Sequence, residues 1–133
     1  MNNVVAAART VLAKYGTFTG RASRAEFWWW ILAVVILMLV LGLVDGAVIA
    51  PLLGFDAFAR NAGRPLSLLV SLVLLPPAIA VSVRRLHDID RTGWWLLLGL
   101  VPVIGSLALL YFYVRKGDAG PNRFGEPDRF ATA

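Results

Sequence analysis

The run Arg84-Arg85-Leu86-His87-Asp88-Ile89-Asp90-Arg91 is the densest collection of chemically capable side chains in this 133-residue chain. Guanidinium forks match the oxygens of phosphate and carboxylate, so the first chemistry the run offers is capture of an anionic group. If a helix continues through it, Arg84, His87, Asp88 and Arg91 fall on one face by the i, i+3, i+4, i+7 spacing. The plainer reading, and the favoured one, is a helix end beside an apolar run whose aspartates pair with their neighbouring arginines. Two further blocks carry similar chemistry: Arg21, Arg24 and Glu26 before the first long apolar run, and Asn122 with Arg123 near the end.

Other chemistries find less to work with. His87 beside Asp88 could serve as an acid–base pair acting on a headgroup. As the single histidine of the chain, it cannot supply the several imidazoles that metal-dependent phosphohydrolase sites use. Asp88 and Asp90 flank arginines, which makes ion pairs the default over a carboxylate magnesium site. There is no cysteine, no G-x-S-x-G elbow, and no glycine pattern of a phosphate or dinucleotide loop. The assignment is therefore no catalytic residue, no metal ligand and no cofactor.

The elements that must position these groups are unusually apolar. Hydrophobic types make up 59% of the chain and charged types only 16%, against about 45–50% and about 25% in soluble domains. Mean hydropathy is +0.71. A chain this short cannot hide so much apolar surface in one core, so the excess calls for lipid as solvent. The net charge of +5 sits mostly beside apolar runs and forms no continuous face, which favours anionic headgroups over nucleic acid.

Val4, Val5, Ala8, Val11, Leu12 and Tyr15 recur at helical spacing opposite Arg9, Thr10 and Lys14, giving an amphipathic helix over residues 1–15. It either lies in the headgroup plane or packs on its own protein. Ser23 to Glu26 reads S-x-x-E, a capping box in which the glutamate reaches back to the cap. The helix it starts is uncharged from Phe27 to Val44, with Trp28, Trp29 and Trp30 at its entry and Asp45 at its far end. A cleaved leader would place its apolar core earlier, so this reads as a retained span. A mixed loop follows over 45–64. The second uncharged run covers 66–83 and contains Pro76 and Pro77, which remove backbone donors and bend the helix. The third covers 94–114, and its 21 residues suffice for one crossing. Pro102 and Gly105 interrupt it near the middle, which equally suits a re-entrant hairpin with arms too short to cross. Residues 115–133 read as a polar tail, extended or disordered.

Charge bears on that choice. With the N-terminus in the cytoplasm, Arg9, Lys14, Arg21, Arg24, Arg84, Arg85 and Arg91 are inside and Arg60 and Arg64 outside. A complete third crossing adds Arg115, Lys116, Arg123 and Arg129 to the outside, seven against six, and erases the positive-inside bias. A hairpin keeps them inside, eleven against two. The hairpin also brings the three polar blocks to one level, where they either share a surface or act as separate interfacial anchors.

Three stretches then carry a resemblance: Y-G-T-F-T-G-R-A-S-R-A-E-F-W-W from Tyr15, R-R-L-H-D-I-D-R-T-G-W-W from Arg84, and P-N-R-F-G-E-P from Pro121, together with Pro102-Val103-Ile104-Gly105. In order and spacing they resemble the signature blocks of the bacterial membrane family known as domain of unknown function 805. The resemblance covers the chain from Tyr15 onward and matches least well over the loop from Asp45 to Arg64. It implies a small multi-pass protein of the bacterial inner membrane and brings no established activity with it.

The expectation is thus an all-α membrane protein in one domain, with three apolar helical segments plus an N-terminal amphipathic helix. The function expected is that of a non-enzymatic inner-membrane component binding anionic lipid or a membrane partner, a second copy included, through Arg21, Arg24, Glu26, Arg84, Arg85, His87, Asp88, Asp90, Arg91, Asn122 and Arg123. The rivals are an oligomeric transporter or channel for small solutes and a membrane enzyme acting on a lipid headgroup.

Overall fold

The computed structural model describes residues 2–128, so Arg129 and the last residues of the tail lie outside the described residues. Helix α1 covers Asn2–Ala13, α2 Arg24–Val44 and α3 the short turn Ala50–Leu52, with a π-helical segment, Asp45–Ile49, joining α2 to α3. Helix α4 covers Pro65–Asp88 and α5 Ile104–Val114, preceded by a 3-10 segment at Gly93–Leu100. The architecture is all-α, as expected, and its outer faces are apolar. Leu39 (66% exposed), Leu72 (58%) and Leu100 (80%) stand outward. So much outward apolar surface belongs in lipid.

Ser23 caps α2 as expected, its side chain accepting from the Glu26 N–H at 3.2 Å. The other half of the box is rewired. Ser23 N–H donates to Asp128 Oδ2, and the Glu26 side chain turns inward to Arg84. Asp45 is not the end of the helix, which runs on for 29 residues to Leu52, about 43 Å at 1.5 Å per residue. The π-helical widening frees the Gly46 carbonyl for Phe58 N–H at 2.9 Å. It also turns Asp45 toward the first turn of α4, whose Leu66 N–H, Ser67 N–H and Ser67 hydroxyl all donate to its carboxylate. An aspartate ends no helix by itself, and here its side chain caps a different one.

Helix α4 stays continuous through Pro76 and Pro77. Pro77 removes the N–H that would have bonded to the Val73 carbonyl. The Tyr15 hydroxyl donates to that carbonyl instead. Helix α1 packs chiefly along α2. Its Val11 joins Ala22, Phe27, Trp30 and Val81 in a core layer where α2 begins and α4 ends.

The third apolar run folds as two short arms. The 3-10 arm is about 16 Å long and α5 about 16 Å, each roughly half of a 30 Å hydrocarbon layer. Between them Val103 takes φ +64°, and a Cβ on Gly105 would overlap the Leu98 carbonyl, so the turn closes only over glycine. Leu109 and Phe112 of α5 pack with Leu86 and Ile89, against which Leu96 and Leu98 also rest. The chain leaves α4 at Asp88 and comes back to it, since Asp118 N–H donates to the Asp88 carbonyl at 2.8 Å. Both ends of the run therefore lie at one end of the bundle. Residues 115–128 form no helix, yet hydrogen bonds tie them to α4 and to the segment before α2.

Candidate functional site

The end of α4 organises the site. Its last turn closes with Arg91 N–H on the Leu86 carbonyl and Asp90 N–H on the His87 carbonyl, while Asp90 takes φ +60°. This is a Schellman closure with aspartate at the position glycine usually fills. The helix therefore does not run on through Arg91, and the single face expected for Arg84, His87, Asp88 and Arg91 is not formed. Each of the four finds a different neighbour.

Asp88 is the hub. Its Oδ1 accepts from Arg21 Nε at 2.9 Å and its Oδ2 from Arg85 Nη1 at 2.6 Å. Both guanidiniums are buried, and each is then saturated by carbonyls. Arg21 donates to Gly120, Gly125 and Asp118 as well as to Asp88 itself. Arg85 donates to Ala22, Tyr113 and Arg115. Buried cations with this many acceptors are held by the fold rather than offered to a ligand. Four separate stretches meet on these two arginines: the loop before α2, the end of α4, the end of α5 and the tail.

A second ion pair lies deeper. Arg84 Nη1 donates to Glu26 Oε1 at 2.8 Å with both side chains out of contact with solvent. Ala22 N–H donates to the Arg84 carbonyl, so the start of α2 and the end of α4 are joined through both backbone and side chain.

His87 is built in by other contacts. Its Nδ1 stands 2.9 Å from the Gly20 carbonyl, which makes Nδ1 the protonated nitrogen. Its ring stacks on Phe124 at 3.9 Å. Asn122 Nδ2 donates to the His87 carbonyl and to Asp118 Oδ2, and Asn122 Oδ1 accepts from Phe124 N–H. Asp88 spends both carboxylate oxygens on arginines, so His87 and Asp88 do not form the linked acid–base pair that their adjacency suggests.

The outer residues are more open. Arg123 pairs with Asp90 at 3.0 Å while both remain largely exposed. The Arg91 guanidinium lies over the Trp95 and Phe112 rings at 4.7 and 5.1 Å, a cation–π placement. Arg24 is exposed and donates to the Val114 carbonyl. With Lys116 it borders a cleft of about 370 Å³ whose wall includes Ser23, Asp118 and Asp128.

All three polar blocks thus reach one end of the bundle, with Arg21, Arg85, His87, Asp88 and Asn122 in one continuous network and Arg84 with Glu26 beside it. Arg24, Arg91 and Arg123 stand at its rim. Asp118, Phe124 and the carbonyls of Gly120 and Gly125 belong to the network as well; Phe124 and Gly125 lie in the P-N-R-F-G-E-P block, whereas Asp118 and Gly120 carry no mark in the sequence. Backbone acceptors leave no side-chain signature. The one available hint was glycine, because a Cβ on Gly117 would overlap the Asp88 carboxylate.

Comparison with known proteins matches residues 15–126 to the family described as a protein of unknown function, DUF805. Inner membrane protein YhaI of Escherichia coli (strain K12) is 38% identical over 126 residues, covering 92% of this chain and 95% of the relative. Inner membrane protein YhaH of the same strain is 43% identical over 119 residues, covering 89% and 91%. No solved structure matches.

Proposed function

We propose, from the premise that this chain belongs to the DUF805 family of proteins of unknown function, that it is a multi-pass component of the bacterial inner membrane whose cytoplasmic rim holds anionic lipid headgroups. In this reading α2 and α4 cross, the third run re-enters, and the N-terminus and the tail share the cytoplasmic side. The carrying observation is the return of Asp118 to Asp88. It brings Arg115, Lys116 and Arg123 to the end that holds Arg21, Arg24, Arg84, Arg85 and Arg91, in line with the positive-inside bias. The relatives' names support the membrane.

Within that end the charges divide. Arg21 and Arg85 are saturated by internal acceptors, and Arg84 is buried against Glu26 with its Nε and Nη2 left without a hydrogen-bond partner among the described residues, whereas Arg24, Arg115 and Lys116 stand exposed where phosphates of a cytoplasmic leaflet would lie. Lipid binding therefore falls to the rim.

The test is thermal stability in nanodiscs of phosphatidylcholine with and without phosphatidylglycerol. The wild-type chain is expected to be stabilised by phosphatidylglycerol, and the Arg24→Gln/Lys116→Gln variant to lose most of that gain while keeping its stability in phosphatidylcholine. Equal gains in the two proteins would refute the rim. A reporter fused after Ala133 is expected in the cytoplasm, and a periplasmic reporter would refute the topology.

A further inference from the structure

The opposite end of the bundle carries a feature that the polar network does not use. The loop after Leu52 folds back over the outer face of α2, setting the Phe58 ring against Gly46 and the Arg64 guanidinium against Gly42. At either glycine a Cβ would overlap the group packed there, so the two small residues, four apart, are what let the loop lie this close. Between loop and helix runs a groove of about 810 Å³, its floor formed by Leu39, Leu43 and Ala50 and its rim by Arg60 and Arg64. Leu39 and Leu43 are 66% and 62% exposed, so the floor faces outward into the acyl region.

Charge says what fits. Neither Arg60 nor Arg64 takes part in an ion pair among the described residues. Of the two acidic groups nearby, Asp45 is buried with its oxygens held by Leu66 and Ser67 and feels the Arg64 charge without an ion-pair contact, and Asp56 of the loop forms no ion pair with either arginine among the described residues. Two exposed guanidiniums thus sit at the headgroup level above an apolar channel, beside the last turns of the 27–44 apolar run. An occupant needs an anionic head for the arginines and a chain for the leucines. Free phosphate would leave the floor bare, whereas a phospholipid supplies the anionic head and the chain in one molecule.

We infer that this groove is a binding site for an anionic phospholipid of the outer leaflet, with its phosphate on Arg60 and Arg64 and one acyl chain along Leu39 and Leu43. The inference rests on the membrane placement proposed above, whose failure the tail reporter detects separately.

Binding of dioleoyl phosphatidylglycerol to the full chain in mild detergent, read by native mass spectrometry, tests the site. Arg60→Gln/Arg64→Gln is expected to weaken its affinity about tenfold, the scale for two solvent-exposed charge contacts. Dioleoyl phosphatidylcholine is expected to show little change between the two proteins, and inorganic phosphate little binding to either. Because the chain lacks cysteine, a fluorophore on Ile36→Cys, one helical turn below Leu39, gives a second reading in the otherwise wild-type protein. Quenching by phosphatidylglycerol brominated on its chains should exceed quenching by brominated phosphatidylcholine, whether or not the arginine variant folds. Equal affinities, or equal quenching by the two lipids, would overturn the inference, as would a stable dimer that excludes phosphatidylglycerol from the groove.

Discussion

The two ends of the bundle spend the same residue types in opposite ways. At one end Arg21 and Arg85 converge on Asp88 and Arg84 on Glu26, all buried and carrying much of the tertiary connectivity. At the other, Asp45 caps the first turn of α4 and lies within electrostatic reach of Arg64, while Arg60 and Arg64 stay exposed and outside any ion pair among the described residues. The difference is one of acceptor supply. The first end gathers four chain segments whose carbonyls surround Arg21 and Arg85; the second is one loop folded on one helix. A buried cation needs such a shell, and an exposed cation keeps its charge for something else.

That contrast can be broken at its strongest point. Asp88→Asn leaves Arg21 and Arg85 buried without their counter-charge, and stability to denaturant in detergent should fall by about 3–5 kcal/mol. A loss near zero would mean that the arginines are not held in the interior. Gly117→Ala drives a methyl group into the Asp88 carboxylate and should cost about 1–3 kcal/mol by forcing the tail away. A neutral result would detach the tail from the network.

The other end should respond less. Asp45→Ala removes the cap on α4 and should cost about 1 kcal/mol, with faster amide exchange confined to the first turn of α4. Back at the rim of the first end, Arg123→Gln breaks an exposed pair with Asp90 and should cost under about 1 kcal/mol. Arg60→Gln/Arg64→Gln should leave stability within about 0.5 kcal/mol of wild type in lipid-free detergent, a change in lipid affinity being its main signature. A large stability loss there would erase the difference between the two ends.

Much of this was legible in the sequence where the chemistry is local. The Ser23 cap, the three apolar runs and the interruption at Pro102 and Gly105 follow from turn, propensity and length rules. The pairing of aspartates with neighbouring arginines holds for Asp88 with Arg85 alone, since Asp88 also takes Arg21 and Asp90 takes Arg123, both distant in sequence. What stayed hidden depends on contacts distant in sequence. A charge closing an apolar run marks Asp45 as an end, whereas its carboxylate meets Ser67 across the bundle. Tyr15 gave no sign that it would answer the carbonyl released by Pro77. Arg21 is saturated largely by backbone oxygens of the tail, and any residue type can supply those.

The central claim is that the third apolar run turns back, so that both its ends lie on the side of the polar network. Single cysteines at Arg60, Asp90 and Lys116, introduced into a chain that has none, measure this through labelling with a membrane-impermeant maleimide in intact spheroplasts and in inside-out vesicles. Arg60→Cys should label in spheroplasts, while Asp90→Cys and Lys116→Cys should both label only in inverted vesicles. Labelling of Lys116→Cys from the same side as Arg60→Cys would show that the third run crosses the membrane, and would contradict the account.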